Sequence, residues 1–469
     1  MTAKAFISAA LLCAIMPAMM PAQARPVGQI SPVNEAAIEE AAYRGYVWGM
    51  PLVEAALIRK RFTQGQSAKD TDTPINAFKH RRMLSGPEMR AGVGPNNDTI
   101  YSSAWLDLAD GPLIVTAPDF GNRYYTFSIN LADSSSDQSL GQRTHGGQLP
   151  PLFVHGPGWR GPIPRGMVDV PVSTRYVGVA GRILVRSPAE YPEVHALQDR
   201  LAVVRWADWR KGKRIAASAT PQRELAQGSV GTPPDLAFFH QLGAILQDWI
   251  VRPQDKAAIA ALEPLGISRK SGFQPNGLSA GQLSALARGY ARAKEDVRLA
   301  SLRLGVERNG WTTNDLGPRF GSDNMLRAAV AKDQIFVAVP EEAIYPIARV
   351  DAAGCKLDGS HRYRIRFAAG ELPPVDAFWS ITAYDDTGFM IANNANRYSV
   401  GDRTGGLVMD RDGSVTIELA ATPPPPERAS ANWLPVAADA PFYLMMRLYR
   451  PQPSVLDRTW VPPAIERID

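Results

Sequence analysis

The feature that most limits what this chain can fold into is a change of hydrophobic period that happens twice. From about Met83 to Ser187 apolar residues recur at every second position among frequent glycines and prolines. Side chains on a strand alternate between its two faces, so "YSSAWLDL", "PLIVTA", "RYYTFSINL" and "RYVGVAGRILV" read as strands. In "RYYTFSINL" one face holds Arg123, Tyr125, Phe127, Ile129 and Leu131, and the other holds Tyr124, Thr126, Ser128 and Asn130. From 188 to about 333 the spacing becomes three and four, as in "EYPEVHALQDRLAVVRW", "PPDLAFFHQLGAILQDWI" and "SAGQLSALARGYARAKEDVRLASLRLG", with Ser279 and Ser322-Asp323 where N-caps belong. Period two then returns in "IFVAVP", "HRYRIRFA", "FWSITAYD", "SVTIELA" and "FYLMMRLYR". Ahead of all this, residues 31–60 read as a helix capped by Ser31 or Asn34, which Pro51 should kink or break.

This order predicts a mainly β protein with an α insertion. Its expected parts are an export signal (1–24), an N-terminal helical segment (25–69), a β-sandwich-like domain (70–187), a helical insertion (188–335) and a second β-sandwich-like domain (336–469). The signal is read from Lys4, the apolar run "FISAALLCAIMPAMMPA" and the small residues of Ala22-Gln23-Ala24, with cleavage before Arg25. That places the protein in the periplasm or outside the cell. No later segment approaches eighteen uninterrupted apolar residues, so no membrane span is expected. Loss of Lys4 takes the formal charge from +5 to +4, and no block of five or six like charges occurs. A solvated, mildly basic surface is the expectation, and nucleic acid is not an expected partner.

Two sets of motifs carry a resemblance. "GPNNDTIYSSAWLDL", "RYYTFSINLADS", "GQRTHGG", "HGPGW" and "GRILV" resemble the DUF1254 domain. "FWSITAYDDTGFMIANNANRYSVGDR", "DGSVTIEL", "NWLPV", "FYLMMRLYRP" and "WVPPAIER" resemble its usual C-terminal companion, DUF1214. The resemblance implies two mainly β domains with a helical insertion in an exported bacterial protein. It supplies no catalytic mechanism.

The candidate site starts at Asn96-Asn97-Asp98-Thr99. Asn and Asp tolerate left-handed backbone and bond their own main chain, so a structured turn accounts for them. Tyr101 and Trp105 follow on one strand face with Ser103 and Asp107. Rings beside amides and carboxylates suit a polyhydroxylated ligand, with Asn96 and Asn97 bonding hydroxyls. Arg123, Arg143 and Arg182, with Tyr124, Tyr125 and Trp159 nearby in sequence, form a second set able to hold carboxylate or phosphate. Equally, each arginine can pair inside the fold with Asp98, Asp107, Asp119 or Asp133.

His145, between Thr144 and two glycines, is the candidate general acid or base with Asp98 and Tyr101. His145 and His155 lack a third ligand at a recognised spacing, so no metal is expected. His80 reads as a surface or helix-packing residue. No GxSxG, SxxK, GxGxxG or P-loop occurs, so neither a serine nucleophile nor a nucleotide cofactor is expected. The reading that remains is a periplasmic hydrolase or lyase acting on an oxygen-rich small molecule or oligomer. The alternatives are a non-catalytic glycan- or anion-binding or envelope-interaction protein, and an aromatic and arginine set that makes a homo-oligomer interface.

Cys13 lies within the expected signal, which leaves Cys355, a buried or incidental thiol, without an internal partner. Cys355→Ser should therefore leave thermal stability and non-reducing gel mobility unchanged. A large fall in stability, or loss of a covalent dimer band, would contradict this.

Overall fold

The computed structural model describes residues 34–64, 73–90, 94–136, 138–214, 231–425 and 432–469. The expected signal, 1–24, and the start of the helical segment lie outside them. The chain opens with a long helix, α1 (Glu35–Gln64), whose first turn is closed by Asn34 Oδ1 accepting the Ala37 amide at 2.8 Å. Contrary to expectation, α1 continues through Pro51. Every residue from Gly45 to Val53 is buried, between the helices Pro234–Asp248 and Ala280–Ser301 among others. Gly49 lets Leu242 approach to where a Cβ would lie 2.7 Å from it. Burial on this scale offsets the roughly 3 kcal/mol that an internal proline costs.

The first β domain is a two-sheet sandwich. Its strands are β1 (Phe78–His80), β2 (Thr99–Asp107), β3 (Leu113–Thr116), β4 (Tyr125–Leu131), β5 (Gln138–Gly141), β6 (Leu152–His155), β7 (Val168–Pro171), β8 (Tyr176–Leu184) and β9 (Ala202–Arg205). One sheet runs β1-β2-β8-β4-β5 and the other β7-β6-β3-β9. Ile100, Phe127, Val179 and Ile183 of the first meet Leu113, Leu152, Val154 and Val203 of the second in a single apolar core. The second β domain repeats the plan: a seven-stranded sheet built around Val375–Asp385 and Phe442–Pro451 packs on a four-stranded sheet around Tyr363–Phe367. In Tyr363–Phe367 burial alternates strictly, with Arg364 and Arg366 outside.

Three local expectations change. "EYPEVHALQDRLAVVRW" is not one helix: Tyr191–Gln198 is helical, and β9 then extends and pairs with β3 beyond the expected border at 187. The spacing of its apolar residues fits both periods, and the open edge of β3 decides the second half. "IFVAVP" forms no strand. Phe336 takes a positive φ of 60° and packs 5.8 Å from Trp105, and Val337 to Val339 are buried without a ladder partner. The hairpin Val306–Arg308 and Trp311–Thr313, inside the expected helical insertion, joins the seven-stranded sheet through Ile347–Ala348. Cys355 is exposed rather than buried. Among the described residues no helix is long and apolar enough to cross a membrane.

His80, half-buried on β1, lies 3.0 Å by Nδ1 from Ser102 Oγ, so it is no plain surface residue. Burial, aided by the nearby Arg82 charge, pushes its pKa down to about 4. The unfolded chain takes up this proton near pH 6.5, whereas the folded one resists until about 4. The neutral ring's contribution is therefore complete above pH 6.5 and falls away as pH drops toward 4. The urea midpoint should decline between pH 7 and pH 5, and His80→Gln should flatten that decline; an unchanged pH slope would refute it.

Candidate functional site

Each sandwich has an apolar inner face, and in both the principal sheet carries a polar outer one. On the N-terminal side the register places Tyr101 beside Arg182, Arg182 beside Thr126 and Thr126 beside Gly141, one row across β2, β8, β4 and β5. On the C-terminal side Phe378, Ser380, Thr382 and Tyr384 alternate with the core residues Trp379, Ile381 and Ala383, and Arg447 and Tyr449 alternate with Met446 and Leu448. These two outer faces pack on one another. Tyr124 meets Phe378 edge-on at 5.1 Å and Tyr449 at 5.6 Å. The result is a buried polar seam between the domains.

The Gly94–Thr99 segment locks the seam. Gly94, at φ 63°, donates its amide to Gly388 O at 2.8 Å. Its carbonyl accepts from Arg447 Nη2 at 2.9 Å, while Pro95 O accepts from Tyr384 OH at 2.7 Å. Asn96 shapes the turn by bonding Thr99 Oγ1 and accepting the Asp98 amide at 2.6 Å. Asn97 Nδ2 donates to Ser85 O at 2.5 Å. Asp98, 1% exposed, crosses the boundary: one oxygen accepts from Ser380 Oγ at 2.8 Å and the other from Arg403. This turn is structural and also inter-domain.

Beyond the clasp the seam carries more positive charge than it neutralises. Arg143, Arg182, Arg403 and Arg447 meet three carboxylates: the buried Asp98 and Glu342, and Asp402, whose Oδ1 lies 3.7 Å from Arg403 Nε. Glu342 accepts from Arg143 Nε at 2.9 Å and from Tyr124 OH at 2.7 Å. Burial first, and the Glu342 charge second, push the Tyr124 phenol well above its ordinary pKa. Arg182 meets no carboxylate among the described residues. It donates to the hydroxyl of Tyr345, and its guanidinium lies 5.6 Å from the Tyr101 ring and 5.9 Å from the Tyr345 ring. Among the described residues its Nε has no partner, and neither do the buried Thr126 Oγ1 and Tyr449 OH. Burial holds the Tyr449 phenol well up, so it remains a protonated donor. Tyr101, Ser103, Ala180 and Arg182, adjacent on β2 and β8, keep partial exposure, so solvent reaches this part of the face.

The structure thus brings together Asp98, Tyr101, Arg143 and Arg182 at the seam and sends the other candidates elsewhere. Arg123 is held by Glu190 at 2.6 Å, Glu193 at 2.9 Å and Leu184 O at 2.9 Å, a structural cluster. Tyr125 points into the sandwich core, its hydroxyl on Gly146 O at 2.9 Å. Trp105 shares the face of Tyr101 but is 4% exposed and packs in the helical core. Trp159 lies with Phe153 and Trp206 in a separate cluster on the other sheet. His145 Nδ1 lies 2.7 Å from Thr144 Oγ1, burial lowers its pKa, and no contact joins it to Asp98 or Tyr101. The anticipated aspartate pairings also change: Asp107 binds Arg175, Asp133 binds Arg252 and Arg327, and Asp119 caps the Gly121 amide.

Sequence reasoning missed Glu342, Tyr345, Arg403 and the role of Arg447. Arg447 had a signal, a charge in the middle of "FYLMMRLYR", where the other arginine, Arg450, stands at the end. Glu342, next to Glu341, looked like an ordinary solvated turn.

Asp98→Asn should break the pair with Arg403 while keeping the shape of the turn. Stability should fall by about 3 kcal/mol, since removing one partner leaves a desolvated charge behind. Urea unfolding checks this, and a loss below about 1 kcal/mol would show the clasp to be dispensable.

Comparison with known proteins fits this architecture. The family model described as protein of unknown function DUF1254 matches residues 75–205, and protein of unknown function DUF1214 matches 342–453. Among solved structures the chain is similar to the VPA0106 protein from Vibrio parahaemolyticus, with a TM-score of 0.68 at 24% identity, covering 92% of this chain and 100% of that one. An uncharacterised protein from Burkholderia cenocepacia aligns at 14% identity and a TM-score of 0.44, over 92% of this chain and 94% of that one. No curated protein matches the sequence. The first likeness shows the shared multi-domain β fold, and the two model matches, one on each sandwich, show that this chain belongs to the family that joins a DUF1254 domain to a DUF1214 domain.

Proposed function

We propose that this protein is an exported, periplasmic enzyme that holds an oxygen-rich carboxylate in the seam and acts on it as a lyase or hydrolase, without a nucleotide cofactor. The observation that supports the reading best is Arg182, a partly desolvated guanidinium whose one hydrogen-bond acceptor among the described residues is the Tyr345 hydroxyl. Such a charge is costly to bury unless an anion meets it. A substrate carboxylate satisfies it, with hydroxyls of the same substrate reaching Thr126 and Tyr449. Export rests on the charged, apolar and small-residue pattern of residues 1–24.

Neutralisation of a carboxylate by Arg182 makes the hydrogen on the neighbouring carbon more acidic. In a lyase step a base removes that proton and its electron pair forms a C=C bond. The C–O bond one carbon further breaks, and the departing oxygen takes up a proton. Tyr101 and Tyr345, beside the guanidinium, are placed to move protons, and Tyr449 to donate one. The second reading, an anion binder without chemistry, is favoured by the engagement of both Asp98 oxygens by Ser380 and Arg403. That leaves no carboxylate base beside Arg182.

The test compares sugar acids and small hydroxy-acids with neutral sugars, by thermal shift and by the ultraviolet absorbance of a new C=C conjugated to a carboxylate. The acids should raise the melting temperature and neutral sugars should not. Absorbance growth identifies the enzyme, and stabilisation without product identifies the binder. Arg182→Met should abolish the shift yet leave the protein as stable as before or about 1 kcal/mol more stable, because it removes an uncompensated charge. A response to the acids that survives Arg182→Met would end the proposal.

A further inference from the structure

A pocket opens where α1, the helix Pro234–Asp248 and the start of β8 meet, with about 480 Å³ of empty space, mouth included. Its apolar wall includes Leu52, Ile245 and Trp249. Its polar wall is Arg59, Arg175, Tyr176 and Asp248. Arg182 is six steps along β8 from Tyr176, about 20 Å on an extended strand, so this is not the seam.

The charges on the polar wall are balanced. Arg175 grips Asp107 through Nε at 2.8 Å and Nη2 at 2.9 Å, and its Nη1 lies 3.5 Å from Asp248. The buried Arg59 guanidinium sits 3.6 Å from the Tyr176 ring centroid, and that of Arg175 4.8 Å. Two cations thus face two carboxylates, and neither a carboxylate nor an ammonium ligand finds a surplus charge to pair with. What stays unmet is the Tyr176 hydroxyl. Tyr176 is 7% exposed, and its hydroxyl oxygen has no hydrogen-bond partner among the described residues. Burial raises the phenol, so it holds its proton and presents a donor. A buried donor without an acceptor is a deficit that natural interiors rarely leave.

We infer that this pocket binds a small neutral molecule whose apolar body lies against Leu52, Ile245 and Trp249 and whose carbonyl oxygen accepts a hydrogen bond from Tyr176. The two guanidiniums that hold the Tyr176 ring fix where the hydroxyl stands, and the carbonyl supplies the acceptor the fold omits. An apolar wall with one well-placed polar group is the common make-up of a small-molecule site.

Three probes of matched size test this on the full-length protein: methyl benzoate, benzoate and benzylamine, followed by thermal shift and tryptophan fluorescence. Methyl benzoate should stabilise the protein and perturb Trp249, and the two ions should do neither. Tyr176→Phe should weaken methyl benzoate about five- to tenfold, the effect of one hydrogen bond. The same variant should unfold no earlier than the native protein, because the hydroxyl it removes has no partner to lose. Arg182→Met, which disables the seam, should bind methyl benzoate normally. Equal response to all three probes, no response to any, or unchanged binding by Tyr176→Phe would each overturn the inference.

Discussion

The structure depends on how Arg447 is satisfied. Arg447 is 2% exposed on the outer face of the C-terminal sheet, and among the described residues no carboxylate touches it. Nη1 bonds Thr382 Oγ1 at 3.0 Å, and Nη2 bonds Tyr384 OH at 2.6 Å and the carbonyl of Gly94 at 2.9 Å. That carbonyl comes from the other domain. A desolvated guanidinium needs acceptors for its five N–H groups, and one sandwich alone does not provide them. The N-terminal domain's Gly94–Thr99 turn supplies the rest, and Asp98 returns a negative charge to Ser380 and Arg403 across the same boundary. Docking of the two sandwiches is thus a consequence of placing arginine on a buried sheet face.

The same rule explains why the seam reads as a site. Polar groups on packed sheet faces are acceptable where each finds a partner, and most here do: Tyr124 and Arg143 share Glu342, and Ser128 pairs with Ser139 at 3.2 Å. Buried atoms without a partner among the described residues occur in several parts of the fold, and they include three on the facing sheets, Thr126 Oγ1, Arg182 Nε and Tyr449 OH. Unmet groups scattered through a fold are packing compromises. Unmet groups of complementary type, close to a partly exposed strip of β2 and β8, define a shape that a ligand completes.

Much of the architecture was legible because it is written in short-range period. Strand faces in "RYYTFSINL" and "HRYRIRFA" and the caps at Ser279 and Asp323 depend on neighbours one to four residues away, and they appear as read. The site was legible only in part. Asp98, Tyr101 and Arg182 were nameable, since polar residues beside a strand stand out. Their partners were not, because Ser380 and Arg403 lie about three hundred residues away and no local pattern links them to Asp98. Arg123 and Arg182 have equal claims in the sequence; only the nearness of Glu190 and Glu193 to the first, and of phenols to the second, separates a structural ion pair from a candidate anion site. Pro51 shows the reverse case, a local rule overruled by burial all round the middle of α1, from Gly45 to Val53.

The position of the unmet groups has one further consequence. Arg182 and Thr126 belong to the first sandwich, and Tyr345 and Tyr449 to the second. An anion seated among them touches both domains at once, so its binding energy adds to the clasp instead of to either sandwich alone. By linkage, whatever favours the docked arrangement favours the ligand by the same factor. For the anion's contribution to add to the clasp, the clasp must hold the boundary by itself. The buried, two-sided hold on Asp98 meets that demand without supplying the charge that Arg182 lacks.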